Sequence, residues 1–296
     1  MKEIVVLSGK GGTGKTTIVA SFAALAKSKV LCDCDVDAAD LHLLLKPKMK
    51  ETHEFRSGQT ATIDEKLCTR CGLCEEVCRF EAIKDLKIDP TACEGCGFCA
   101  QVCPENAITM EENLAGHWYI SETKYGPLVH ARLGIAQENS GKLVNVVRQN
   151  ARSIGQKEGL EYIITDGPPG IGCPVISSLS GANLALLVTE PTLSGMHDLE
   201  RVIGVCRHFG VPALVCINKY DLNEDNTCQI ERYCLEQGIE VAAKLPFDNI
   251  VTESLINGIP VVEYYVVEYY RGSIRGSIVQ QLETLWSKIS ENERGG

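Results

Sequence analysis

The sequence predicts a doubly wound, mostly parallel α/β sheet interrupted by a small Cys-rich α+β insert. Three observations carry this. Short apolar, β-branched runs end in polar loops and alternate with helix-length segments. A glycine-rich turn directly follows the first of those runs. Eight of the fifteen cysteines fall between Cys68 and Cys103, where the α/β rhythm stops.

The first run, Lys2 to Leu7, ends at Ser8-Gly9 and predicts a buried parallel strand. A helix is expected from Lys15 to about Lys27, then a second strand, Val30 to Cys34. That strand ends in Asp33, Asp35 and Asp37, where a doubly wound sheet places ligand-binding loops. From about Glu51 to Met110 the chain is Cys-rich and punctuated by glycine. His117 to Thr123 and Leu128 to Leu133 flank Tyr125-Gly126-Pro127 and predict a β-hairpin. The rhythm then resumes. A helix is expected over Leu143 to Ile154, with strands at Tyr162 to Thr165, Leu184 to Val188 and Leu214 to Ile217. Helices near His197 to Phe209 and Asp225 to Gln237 lie between the later strands. The expected domains are a discontinuous α/β domain over 1–50 and 134–296, an insert over 51–112, and a hairpin extension of the insert over 113–133. Near the C-terminus VVEYY at Val261 and RGSI at Arg271 are each duplicated in tandem. An extended loop or lengthened helix start is expected there, without function.

The net charge of −10 over 296 residues argues against nucleic acid or an anionic membrane as partner. No apolar run reaches the length of a membrane span, and the first strand runs straight into the glycine-rich turn, so a cytoplasmic protein is expected. In such a compartment fifteen cysteines do not form a disulfide framework, and their clustering points to metal.

Gly9 to Thr16 satisfies G-x-x-x-x-G-K-[ST] between a strand and a helix. Gly11, Gly12, Thr13 and Gly14 let backbone N–H groups converge on phosphate oxygens at the positive end of a helix. Lys15 is expected on the β- and γ-phosphates, Thr16 on Mg²⁺, and Thr17 in the same cradle. The box Lys10-Gly11-Gly12-Thr13-Gly14-Lys15-Thr16 resembles the deviant Walker A motif of the MinD/Mrp/nitrogenase-iron-protein family of P-loop ATPases. The resemblance implies a dimeric Mg-ATPase, a homodimer or a heterodimer with a related ATPase, in which Lys10 reaches the partner's nucleotide. It implies Asp35 in switch I as the residue acting on the attacking water, with Asp33 and Asp37 as competing choices. It implies Asp166, in Asp166-Gly167-Pro168-Pro169-Gly170, as a switch II residue in the Mg²⁺ shell. Asn218 of Asn218-Lys219-Tyr220-Asp221 is implied at the base. N-K-x-D written alone also matches a guanine-reading motif, and ATP is favoured through the family. Pro246-Phe247-Asp248 resembles a second base-side loop, or is an ordinary turn.

Cys68, Cys71, Cys74 and Cys78 have C-x₂-C-x₂-C-x₃-C spacing, and Cys93, Cys96, Cys99 and Cys103 repeat it. Over Ile63 to Met110 this resembles bacterial two-cluster ferredoxin, with Arg79 standing where the pattern has the proline that Pro104 keeps. The resemblance implies two [4Fe-4S] clusters with exchanged fourth ligands. Cluster I takes Cys68, Cys71, Cys74 and Cys103, and cluster II takes Cys93, Cys96, Cys99 and Cys78. Zinc fits two cysteine triplets poorly. Cys173, after switch II, is either a packed thiol or a ligand bridging two subunits.

The full expectation is therefore a P-loop NTPase with an inserted ferredoxin-like domain. ATP would gate electron transfer to a redox partner, or drive delivery of a cluster or metal cofactor to an apo-metalloprotein. A membrane-anchored cell-division role would need a basic amphipathic C-terminal helix, and Val279 to Ile289 holds one lysine and one glutamate. An amidotransferase would need a glutaminase domain for which no length remains.

Overall fold

A computed structural model describes residues 1–134, 140–269 and 277–291. In chain order the elements are β1 (Lys2–Ser8), α1 (Lys15–Leu25), β2 (Lys29–Asp33), α2 (Leu41–Leu45) and β3 (Lys48–Ile63). Next come α3 (Leu73–Glu76), β4 (Ile83–Lys84), β5 (Lys87–Ile88), α4 (Phe98–Val102), β6 (Ile108–Thr123) and β7 (Gly126–Leu133). The remainder is α5 (Ser140–Glu158), β8 (Tyr162–Pro169), α6 (Cys173–Leu179), β9 (Leu184–Thr189), α7 (Leu193–His208), β10 (Ala213–Asn218), α8 (Glu224–Glu236), β11 (Glu240–Leu245), α9 (Asn249–Asn257), α10 (Val261–Tyr269) and α11 (Ser277–Glu291).

The chain divides into two compact units. The first comprises Met1–Thr52, Trp118–Arg132 and the chain from Ser140 on; the second is built on His53–His117. The main sheet has the order β11-β10-β9-β1-β8-β2-β7-β6-β3. β1 pairs in parallel with β8 and β9, β9 with β10, and β10 with β11. β2 pairs in parallel with β8 and β7. The central strands are apolar on both faces because helices cover both. Ile4 and Val6 of β1 face a core with Ile18 and Phe22 of α1 and with Leu282 and Leu285 of α11. Val5 and Leu7 face the other core, with Val175 of α6, Leu199 of α7 and Ile230 of α8. This period-two split leaves the polar strand ends, and the loops that follow them, along one edge.

One buried ion network braces the first unit. Glu3 accepts from Arg148 Nε at 2.6 Å and from Arg152 Nη2 at 2.6 Å. Two α5 cations thus compensate one carboxylate that β1 buries at 3% exposure, a burial that unpaired charge would not survive.

One expectation needs correction, and two segments gain definition. The hairpin expected over 113–133 as part of the insert places Trp118–Arg132 in the first unit instead. The reason is pairing: Leu31, Cys32 and Asp33 of β2 register with Leu128, Val129 and His130 of β7, so the hairpin extends the main sheet. The segment from Glu51, to which the sequence assigns no element, lies in a 16-residue strand, β3. Most of its side chains are exposed, so it carries no apolar alternation to read. Of the two expectations for the VVEYY duplication, the helical one holds: it forms helix α10 through Tyr269. Residues 270–276, which hold most of the RGSI duplication, lie outside the described residues.

The second unit has a small core of Ala61, Ile83 and Ile108 packed with Cys74 and Cys99. Its two-stranded sheet pairs Ile83 with Ile88 and Lys84 with Lys87, antiparallel.

Candidate functional site

In the first unit the edge left by β1, β2 and β8 carries the phosphate-loop residues. The turn after β1 closes with Ser8 Oγ donating to the Lys10 carbonyl at 2.6 Å. Gly12 and Gly14 adopt left-handed φ of 77° and 94°, which only glycine does without strain. Gly14 has a second reason to be glycine, because a Cβ there would lie 2.5 Å from Asn218 Nδ2. At Gly11 and Gly12 a Cβ would meet nothing within 4 Å. That open concavity in front of α1, with backbone N–H groups at a helix start, suits an anion. Lys15 is buried at its rim, and Thr13 Oγ1 is buried without a hydrogen-bond partner.

Three carboxylates cluster beside this cradle, and two of them, Asp35 and Asp166, lie close enough to feel the Lys15 charge. Asp33, at the end of β2, is fully buried and accepts from the backbone N–H of Asp35 at 3.2 Å and of Leu41 at 3.3 Å. Burial, then the charges of Asp166 and Asp35, lifts its carboxyl well above the ordinary value. Burial pushes the Asp166 carboxyl up to about 7, against the opposing pull of the Thr16 hydroxyl and Lys15. Asp166 Oδ1 has no hydrogen-bond partner. Burial also raises Asp35, with Lys15 the largest opposing influence. A carboxylate cluster with one lysine and orphaned oxygens suits a hydrated divalent cation beside a phosphate. Gly167 lets β8 lie this close to β1, since a Cβ there would stand 2.5 Å from Leu7 Cδ2 and 2.8 Å from the Val6 carbonyl.

Beside the cradle lies a cavity lined by Gly12, Gly14, Thr17, Ile18, Asn218, Lys219, Pro246, Phe247, Val251 and Leu255. Asn218 Nδ2 donates to the Thr13 carbonyl at 2.8 Å and so ties this wall to the phosphate loop. Asp221 Oδ1 accepts from the Phe247 N–H at 2.7 Å, which pins the Pro246–Asp248 loop over the cavity. A mainly apolar cavity next to an anion cradle suits a nucleoside. The sequence reading named Asn218 and the Pro246-Phe247-Asp248 loop but missed the apolar wall of Val251 and Leu255. It also missed Glu190, which pairs with Lys219 at 2.6 Å and with Lys10 at 3.5 Å. Its position just past a buried strand was the available signal.

In the second unit the eight motif cysteines separate into two sets. Cys68, Cys71, Cys74 and Cys103 line one cavity, with Ile63, Leu73 and Ile108. Cys78, Cys93, Cys96 and Cys99 line another, with Ala61, Phe80 and Phe98. The fourth cysteine of each sequence motif therefore sits with the other motif's triplet. Gly72 and Gly97 start α3 and α4 at φ of 79° and 72° and set the turns that present Cys74 and Cys99. The Arg70 N–H lies 3.4 Å from Cys68 Sγ, and the Ala107 N–H lies 3.3 Å from Cys103 Sγ. Among the described residues, no three His, Cys, Asp or Glu side chains are placed to hold a single metal ion. Four cysteines spread around a cavity fit a cubane better than a point ion, because each corner iron takes one thiolate. Cys173 is exposed at the start of α6.

The model of the CobQ/CobB/MinD/ParA nucleotide binding domain matches residues 4–261. An uncharacterized protein of Methanocaldococcus jannaschii is 35% identical over 260 residues, 87% of this chain and 88% of that one. A putative septum site-determining protein MinD of Oltmannsiellopsis viridis is 26% identical, over 88% of this chain and 69% of its own. Among solved structures, the cell division ATPase MinD of Pyrococcus furiosus superposes with a TM-score of 0.58 at 21% identity, covering 98% of this chain and 99% of that one. The septum site-determining protein MinD of Pyrococcus horikoshii, complexed with Mg-ADP, gives 0.59 at 18% identity, covering 99% and 97%.

Proposed function

Because the chain belongs to the CobQ/CobB/MinD/ParA nucleotide-binding family, we propose that it is a Mg-dependent ATPase whose nucleotide state is coupled to electron transfer through two [4Fe-4S] clusters. The partition of the eight cysteines into two cavities of four carries the iron–sulfur half of this reading. The cradle, orphaned Asp166 Oδ1 and apolar cavity support the nucleotide half. When bound, Mg²⁺ supplies charge on the phosphate oxygens and the cubanes supply one-electron storage.

The chain's own residues do the rest. Backbone N–H groups of residues 11–16 bind and orient phosphate oxygens, and Lys15 balances their charge. Thr16 and Asp166 would hold the cation. Asp35, made more basic by burial, orients the attacking water and takes its proton. Lys10 serves the nucleotide of a second copy. Coupling would run along the backbone: Asp33 grips the Leu41 N–H at the start of α2, and β3 begins three residues after α2 and leads to Cys68.

A second reading is a carrier that hands clusters to an apo-protein. The exposure of Cys71 and Cys96 favours it, since each leaves one corner of its cavity open to solvent. A cell-division role, suggested by the names of relatives, would call for a basic membrane-facing helix. The apolar face of α11 is instead spent inward: Leu282, Leu285 and Ile289 are buried, and Trp286 packs on Phe22 at 5.2 Å. Among the described residues no helix is long and apolar enough to cross a membrane.

Anaerobic reconstitution tests the proposal. It is expected to give absorbance near ~400 nm and about eight irons per chain. Acceptor reduction is expected to require ATP turnover and to stop in Lys15→Ala. No such absorbance, with about four irons or fewer, sinks the two-cluster reading. Iron passing to an apo-protein, with no ATP-dependent reduction, selects the carrier.

A further inference from the structure

Glu190 stands one residue past β9, where the loop into α7 runs beside the phosphate loop. Its backbone is fixed from several sides. The Thr192 N–H donates to the Glu190 carbonyl at 2.7 Å. Gly195 packs so closely that a Cβ there would lie 2.4 Å from that same oxygen. Asn226 Nδ2 donates to the Pro191 carbonyl at 3.0 Å. The carboxylate is therefore presented from a rigid base, and two lysines share it.

The two pairs are unequal. Lys219 Nζ lies 2.6 Å from Oε1, a full charge-assisted bond. Lys10 Nζ lies 3.5 Å from Oε2, and also 3.5 Å from Thr192 Oγ1 and from Ser194 Oγ. Lys10 thus has three long contacts and no short one, and its side chain is 33% exposed. We infer that Glu190 is the positioning residue for Lys10, holding it against its own chain until a second copy offers a nucleotide. Lys219 keeps the carboxylate paired once Lys10 has left, so release strands no buried charge. The inference rests on the proposed role of Lys10 toward a second copy's nucleotide.

The arrangement fixes the signs of two substitutions. Glu190→Gln removes the contact that Lys10 must break, so association of two nucleotide-loaded copies tightens. Lys219→Gln leaves Lys10 as the sole cation on Glu190, so the hold strengthens and association weakens. An ion pair this exposed contributes little, and each shift is expected at about threefold. A merely structural Glu190–Lys219 tie would move both variants the same way, because either one breaks it.

The experiment is sedimentation velocity on the full chain with Mg²⁺ and a saturating non-hydrolysable ATP analogue. Analogue affinity is measured separately, at protein concentrations below association. The expected result is tighter self-association of Glu190→Gln and weaker self-association of Lys219→Gln, both shrinking as salt rises. Shifts of the same sign, or no tightening in Glu190→Gln, overturn the inference. Lys10→Ala separates the two layers of the argument. If it leaves self-association unchanged, the role of Lys10 itself fails. If it abolishes self-association while Glu190→Gln stays at wild type, only the role of Glu190 fails.

Discussion

Removing single cysteines tests whether the two motifs exchange their fourth ligands. Cys78 lies in the first motif by sequence but lines the cavity of Cys93, Cys96 and Cys99, while Cys103 lines that of Cys68, Cys71 and Cys74. Losing one thiolate corner destabilises one cubane and leaves the other set intact, so iron falls from about eight to about four per chain. Single variants therefore look alike, and pairs decide. Cys78→Ser with Cys93→Ser strikes one cavity twice, and about four irons remain. Cys78→Ser with Cys74→Ser strikes both cavities, and iron falls to near zero. Ligation by sequence proximity reverses this pattern. The assay is anaerobic reconstitution followed by iron and sulfide counting, with electron paramagnetic resonance of the reduced protein to count the surviving cluster signals. About four irons in Cys78→Ser with Cys74→Ser, and none in Cys78→Ser with Cys93→Ser, refutes the exchange.

Three further outcomes follow from packing and charge. Gly167→Ala forces a methyl to 2.5 Å from Leu7 Cδ2 and 2.8 Å from the Val6 carbonyl, so β8 must shift. A loss of about 1–3 kcal/mol in denaturant unfolding is expected, with weakened nucleotide binding. Arg148→Met leaves the buried Glu3 carboxylate with Arg152 alone and is expected to cost roughly 3 kcal/mol, most of it recovered when Glu3→Met is added. Burial, then the neighbouring His42, lowers the His130 imidazole from 6.5 to about 4. The folded state thus favours neutral His130; its contribution is complete above pH 6.5 and is lost as pH falls toward about 4. The loss is about 2 kcal/mol by pH 5, and a stability profile of His130→Gln that keeps the wild-type slope between pH 6.5 and 5 refutes it.

The sequence made the two chemical centres legible for different reasons. Thiolate ligands and phosphate cradles are dictated by covalent spacing and backbone geometry, so Cys68 to Cys103 and Gly9 to Thr16 are readable as strings. The central strands were readable because burial on both faces leaves continuous apolar runs, such as Leu184–Thr189. β3 was not, because its residues are mostly exposed and its strand state comes from pairing along the sheet edge. Assignment of the hairpin failed on the same point, since the pairing of Val129 with Cys32 is a long-range fact with no local signature. The wall formed by Val251 and Leu255 went unread because α9 presents an ordinary amphipathic face, and only its place beside Gly14 makes it a site.

The site also departs from what stability alone would select. Among the described residues, the buried side-chain atoms without hydrogen-bond partners include Thr13 Oγ1, Thr165 Oγ1 and Asp166 Oδ1. All three belong to the phosphate loop or to the strand end facing it. Such departures from polar satisfaction are expected where a ligand completes the structure. Asp166 makes the argument quantitative in sign. Burial lifts its carboxyl to about 7, so above that pH the protein carries a buried carboxylate at a cost to the nucleotide-free fold. The isosteric Asp166→Asn removes the charge and is expected to stabilise the nucleotide-free protein at pH 8. The same variant is expected to forfeit the stabilisation that Mg²⁺ and nucleotide confer, about 2.7 kcal/mol at a hundredfold excess over Kd. Thermal unfolding with and without Mg²⁺ and ATP reads both terms at once. A variant less stable than wild type without ligand, yet fully stabilised with it, would assign Asp166 to the fold rather than to the cation.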